Sequence, residues 1–342
     1  MTIPLVIDTD TAQDDCVAIL VGLLDPQADL QAITMVAGNV GFDRQVKNAW
    51  MTLSVAGKLG DVPVYLGCRR PLMREWVSAE DVHGDGSGGL SMDDDGCHPE
   101  DEHAVDALIR LAAEHAGELT IVAIGPLTNI ASAVVKDPQF VANVKRLVVM
   151  GGSNNARGNI TAAAEFNLYV DPEAGRIVCE AGFTDLVFVP WAPLTLRDAT
   201  FGRDALARID ALDTPLSRFF TRIVSATLAY DESVGIPGST HPDSLSAAIV
   251  LHPELITAAA PYHVAVDTSS ELTRGYAAMS WLPPEASAAE SQETAATAPT
   301  ERRTVHGLTP NATVIEAIDA TAFHTYICDL LATPTQPTRP VA

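Results

Sequence analysis

The chain has 342 residues, 47% of them hydrophobic, enough to bury a large core as one big α/β domain or two smaller ones. Its 44 Asp and Glu against 21 Lys and Arg give a formal charge of −23, a field that repels phosphate backbones and anionic lipid and argues against nucleic-acid or membrane partners. Cys16, Cys68, Cys97, Cys179 and Cys328 are scattered and form no CxxC pair, no leader-like segment opens the chain and no apolar run is long enough for a bilayer. Reduced thiols and a cytoplasmic location are expected.

In chain order, short β-rich apolar runs occur at Leu5 to Ile7, Ala32 to Val36, Leu119 to Ile124, Leu147 to Met150 and Leu186 to Val189, each next to a segment with helical spacing. This alternation predicts an α/β fold with a mostly parallel central sheet flanked by helices. In such sheets ligands sit beyond the carboxyl ends of the strands. The segments there, Asp8 to Asp15, Ala37 to Val40, Gly125 to Asn129 and Gly151 to Ser153, are rich in Gly, Asp and Asn. From Pro283 to Thr300 the composition turns to Ala, Glu, Ser, Thr and Pro, which predicts an excursion between strand-like pieces around Tyr276 and Arg303. We expect one domain over residues 1–332, with a flexible insertion at about 283–300 and a frayed proline-rich tail over 333–342.

Asp8, Asp10, Asp14 and Asp15 place four acids in eight residues between the first strand and a helical segment. Brought together without a cation they would repel one another strongly. A helix cap explains Asp14 and Asp15 but not Asp8 and Asp10, so the pattern implies a hard metal, calcium or magnesium, held by carboxylate oxygen.

In this register the chain resembles the nucleoside hydrolase family, whose signature is an Asp-x-Asp followed after three residues by Asp-Asp. The likeness continues through Gly38-Asn39-Val40, Gly125 to Ile130, Met150-Gly151-Gly152, Gly158-Asn159, Ala164 to Asn167, Asp171 to Ala174 and Pro242-Asp243, about three quarters of the chain. Thr11-Ala12 stand where the family usually has Pro-Gly. The resemblance implies calcium-dependent hydrolysis of a ribonucleoside to free base and ribose by a homodimer or homotetramer. It implies calcium held by Asp10, Asp15, Asp243 and the Ile124 carbonyl, with Asp10 as general base on a calcium-bound water and Asp8 supporting it. Asp14, Asn39, Met150, Asn159, Glu165 and Asn167 match ribose-binding positions.

The leaving group is where the pattern breaks. Several family members carry a His just before the late metal-binding Asp, where this chain has Pro242. His241 is one residue upstream and is the candidate acid, although the proline fixes the backbone between them. His83 matches the family's His-Gly motif on a loop that contacts the base, and Tyr230 with Trp76 or Trp281 are candidates for stacking. The acidic stretch with Cys97, His98 and His103 lacks paired ligand spacing and reads as a solvated loop. Two alternatives stand beside this reading: a haloacid-dehalogenase-type phosphatase with Asp8 as nucleophile, and a nucleoside-binding protein that has lost turnover.

Overall fold

The computed structural model describes residues 2–281 and 308–342. The expected insertion from Pro283 to Thr300, and Arg303, lie outside them. The apolar runs become β1 (Ile3–Thr9), β2 (Ala28–Met35), β4 (Thr120–Ala123), β5 (Arg146–Met150) and β6 (Leu186–Val189). Four further strands complete a nine-stranded sheet among the described residues: β3 (Val64–Leu66), β9 (Ile256–Val266), β10 (Ala277–Trp281) and β11 (Ala312–Ile318). A small separate ribbon pairs β7 (Thr200–Phe201) with β8 (Ser239–Thr240). The sequence reading missed β3, β9 and β11. β3 is three residues long, and β9 alternates half-buried with exposed positions in a run of alanines.

Strand order is β10-β9-β11-β6-β5-β4-β1-β2-β3. From β3 to β11 every pairing is parallel, and β9 is antiparallel to both β11 and β10. The chain winds outward from β1 through β2 and β3, then returns to the other side of β1 with β4. That reversal leaves a crevice beyond the carboxyl ends of β1 and β4, the position where open α/β sheets bind ligands.

Two apolar clusters cover the two faces of the sheet. On one face the helix Gln13–Leu24 is buried on every side from Gln13 to Gly22, and the helix Pro242–Leu251 is buried throughout. Helices apolar all round belong in a core, and these two pack against each other. Both begin with acids at the crevice: Asp14 and Asp15 in one, Asp243 in the other. Among the described residues no helix is long and apolar enough to cross a membrane.

The tail departs from expectation. Residues 338–342 are tied down rather than frayed: the backbone of Ala342 exchanges two hydrogen bonds with Ser91, Arg339 donates to the carbonyls of Asp93 and Asp95, and its amide donates to Ser54 Oγ at 2.8 Å. Prolines remove donors but leave carbonyls and flanking amides free to pair, so composition alone misjudged this segment.

Candidate active site

β1 delivers Asp8, Thr9 and Asp10 into the crevice. Asp8 is fully buried, and its Oδ1 accepts from Thr34 Oγ1 at 2.6 Å and Asn129 Nδ2 at 2.8 Å. Burial nevertheless pushes its carboxyl up to about 7. Asp8, like Asp10 and Asp15, is absent from the lining of the cavity described below, and its Oδ1 is taken up by Thr34 and Asn129, which leaves the phosphatase expectation without support here.

Asp10 sits between two backbones that only glycine allows. A Cβ on Gly38 would lie 2.0 Å from Asp10 Oδ2, and one on Gly125 would lie 2.9 Å from Oδ1. Oδ2 accepts from the Asn39 amide at 2.8 Å, whereas Oδ1 is buried with no hydrogen-bond partner. The Asp15 carboxyl faces it, itself held by Thr9 Oγ1 at 2.7 Å, the Ala12 amide at 3.0 Å and Asn39 Nδ2 at 3.2 Å. Burial, then the charge of Asp15, drives Asp10 well above the usual carboxylate range. Asp243 is raised well above it too, by burial and then by Asp15, Asp14, Asp10 and Glu165.

Among the described residues no three His, Cys, Asp or Glu side chains are already drawn together as a metal centre. The donor chemistry still suits a hard divalent cation. A buried carboxylate oxygen without a partner faces a group of acids that raise one another's pKa, and a cation would relieve both penalties. Asp10, Asp15 and Asp243 could hold it. The Ile124 carbonyl at the end of β4 is also at the cavity, where it accepts from Asn167 Nδ2 at 2.9 Å.

Above these acids lies a cavity of about 330 Å³, large enough for a small ligand. Asp14, Asn39, His83, Ile124, Met150, Asn159, Glu165, Asn167, Tyr230 and Asp243 all line it. Their supports are visible. Glu165 caps the helix Phe166–Val170, accepting from the amides of Asn167 and Leu168, and also from Gly152 at 3.0 Å. Burial raises its carboxyl to about 7. Asn159 Oδ1 accepts from the Phe166 amide at 2.8 Å, and Asn167 Nδ2 also reaches the Met150 carbonyl and sulfur.

His241 is the main correction. It is fully buried and absent from the cavity lining, whereas its neighbours Pro242 and Asp243 are present. Pro242 opens the helix, and the ring turns inward, stacked on Phe220 at 5.2 Å and edge-on to Phe201 at 4.7 Å. Its Nδ1 lies 2.8 Å from Asp14 Oδ1. It therefore supports Asp14 and packs among Phe220 and Phe201 instead of lining the cavity. The stacking candidates Trp76 and Trp281 also miss the cavity: Trp76 donates to the Gly38 carbonyl at 2.9 Å, and Trp281 is exposed at the end of β10.

Sequence reasoning missed Trp191, Phe166, Arg157, Thr227 and Asp231, which line the cavity. Trp191 comes two residues after the end of β6, so the carboxyl-end rule would have found it. Asp231 is held by the amide and hydroxyl of Thr240 at 3.0 and 2.9 Å, and burial raises its carboxyl.

Acids and amides grouped around a cavity at the switch point of a parallel sheet mark the ligand site of an open α/β protein. The family model described as inosine-uridine preferring nucleoside hydrolase matches residues 5–325, and the chain belongs to the nucleoside hydrolase family, enzymes that cleave N-glycosyl bonds. It is 32% identical over 334 residues to the pyrimidine-specific ribonucleoside hydrolase RihA of Escherichia coli, covering 97% of this chain and 99% of that one. It is 35% identical over 280 residues to an uncharacterised protein of Schizosaccharomyces pombe, covering 81% and 89%. Among solved structures it resembles a plant nucleoside hydrolase with a TM-score of 0.83 at 29% identity over 98% of this chain and 100% of that one. A purine-preferring ribonucleoside hydrolase of Gardnerella vaginalis gives 0.81 at 25% identity, covering 96% and 98%.

Proposed function

We propose that this ribonucleoside hydrolase uses Asp10 as general base, with Asp10, Asp15, Asp243 and the Ile124 carbonyl holding a calcium ion at the cavity floor. The observation that carries this is the unpartnered Asp10 Oδ1, buried at the switch point of the sheet. When bound, the cation supplies positive charge that acidifies water and gathers ribose hydroxyls.

The chain's own residues do the rest. Asp10 Oδ1 takes a proton from the attacking water while the Asn39 amide keeps Oδ2 in place. Asn159, Glu165 and Asn167 hold the ribose, and Asp14 takes a ring hydroxyl, steadied by His241. Their negative charge and amide dipoles favour the oxocarbenium-like state as the bond to the base breaks. Met150 closes the sugar face, and His83 with Tyr230 meets the base. The full set of water-activating and sugar-holding groups supports turnover over a binding-only role.

The test is release of reducing sugar from inosine, adenosine, guanosine, uridine and cytidine, with calcium and after chelation. Chelator-sensitive ribose release is expected. Release that survives complete chelation would overturn the cation assignment, and no release from any nucleoside would overturn the reading itself.

A further inference from the structure

Gln13 is the first residue of the helix Gln13–Leu24 and is almost completely buried, between the acids of the floor. It makes three contacts that the chemistry above does not use. Its Nε2 donates to the His83 carbonyl at 3.0 Å, its Oε1 faces His83 Nδ1, and the same Oε1 accepts from Thr227 Oγ1. Gln13 thus joins the floor to both walls, the helices Glu80–His83 and Ser225–Ser233.

The donors and acceptors admit one assignment. A backbone carbonyl only accepts, so the Gln13 atom facing it must be the amide nitrogen. The atom facing Nδ1 and the Thr227 hydroxyl is then the oxygen, which also only accepts. His83 Nδ1 must therefore carry a proton. Its Nε2 makes no hydrogen bond among the described residues, and His83 lines the cavity. A neutral ring protonated at Nδ1 offers a bare lone pair at Nε2. The surrounding protein works in the same direction, its desolvation of the partly buried ring disfavouring a second proton and pushing the imidazole down to about 4.

We propose that Gln13, with Thr227, is a positioning residue that fixes His83 as a hydrogen-bond acceptor, so that the cavity selects nucleobases presenting an N–H donor at that edge. His83 then receives a hydrogen bond from the base and does not protonate it. A site built to accept from a substrate N–H rejects the analogue that lacks it, because the acceptor, shielded from water once a base is seated, is left unpaired. This inference rests on the nucleoside reading above.

Two measurements test it. In protein labelled with 15N-histidine, the His83 signals, assigned by their loss in His83→Gln, should show a protonated Nδ1 and an unprotonated, pyridine-like Nε2. In kinetics, uridine should be compared with 3-methyluridine and cytidine with N4,N4-dimethylcytidine. Removing the donor should lower kcat/KM about tenfold or more, mainly through KM. Gln13→Leu should lower kcat/KM for the parent nucleosides about tenfold, narrow the gap to the methylated ones and populate both His83 tautomers. A proton on Nε2 in the wild type, or methylated substrates turned over as fast as their parents, would overturn the proposal. Both wild-type measurements stand if Gln13→Leu does not fold. Should the wild type hydrolyse no nucleoside, the nucleoside reading and the base selection fall together, while the NMR signature still decides the tautomer.

Discussion

His241 Nδ1 meets Asp14 Oδ1 at 2.8 Å, and the other Asp14 oxygen accepts from the Asp243 amide at 2.6 Å, so one carboxylate joins a buried imidazole to the start of a core helix. The imidazole holds the carboxylate from behind, while Asp14 faces the cavity. His241→Phe should keep the packing on Phe220 and Phe201 but remove the donor. We expect kcat/KM to fall roughly 10- to 100-fold, the equivalent of one hydrogen bond to a charged group. The fall should be the same for a natural nucleoside and for p-nitrophenyl riboside, whose leaving group needs no proton. A loss confined to the natural nucleoside would instead identify His241 as the proton donor.

Gly38→Ala tests the cradle around Asp10. The new Cβ would meet Oδ2 at 2.0 Å, so the carboxylate must move. A displacement of about 1 Å at a reacting group costs on the order of 100-fold, and kcat should fall by that amount. The far-ultraviolet circular dichroism should change little, because the clash is confined to Asp10, although its Cβ at 2.8 Å also requires a small backbone shift just after β1.

Asp10→Asn should separate chemistry from stability. Losing the base should lower kcat by roughly 10²- to 10⁴-fold. Asp10 is held well above its ordinary pKa by burial and by Asp15, so removing it relieves repulsion, and the Tm measured in chelator should rise. In the wild type, calcium at about 100 times its Kd should stabilise by roughly 2.7 kcal/mol, and this increment should largely vanish in the variant. A calcium-dependent Tm shift of equal size in both proteins would place the cation elsewhere.

Far from the site, His252 Nε2 lies 2.7 Å from Asp25 Oδ2, which also accepts from Tyr326 at 2.7 Å. Despite some desolvation, hydrogen bonds to Asp25 and Glu254 raise His252 above 6.5. Its stabilisation is therefore complete below 6.5 and lost as pH rises through the raised value. Asp25 is lowered below 3.8, where hydrogen bonds from Gln27, Tyr326 and His252 outweigh its burial. Its contribution is present above 3.8 and lost as pH falls through the lowered value. His252→Gln should lower the Tm most between about pH 4 and 6.5 and least near pH 9. Equal loss across that range would remove the ion pair as the cause.

The floor was legible because its acids sit where a strand gives way to a helix, and both the spacing and the strand-end rule point there. Asp243 is more than two hundred residues from Asp10 and Asp15, yet it approaches them because the helix Gln13–Leu24, which follows Asp10 and carries Asp15 in its first turn, packs against the helix Pro242–Leu251, which carries Asp243 in its own. His241 was misplaced because adjacency in sequence says nothing about which way a ring turns once proline starts a helix. Gln13 carried no signal at all: its amide resembles any polar residue in a first turn, and its partners lie 70 and 214 positions away. Thr227 and Tyr230 lie on a helix, Ser225–Ser233, whose weak apolar periodicity hides which side faces inward.

The two halves of the cavity differ in how freely they can change. The floor hangs on strand ends and on two helices with no solvent-facing side, where almost any substitution opens a void or strands a charge. The wall that we propose meets the base is built from the short helix Glu80–His83, with no buried residue, and the partly exposed helix Ser225–Ser233. Changes there disturb little else. The architecture lets the choice of nucleobase drift by single substitutions while the bond-breaking apparatus stays fixed, so one scaffold can be retuned for new bases without being rebuilt.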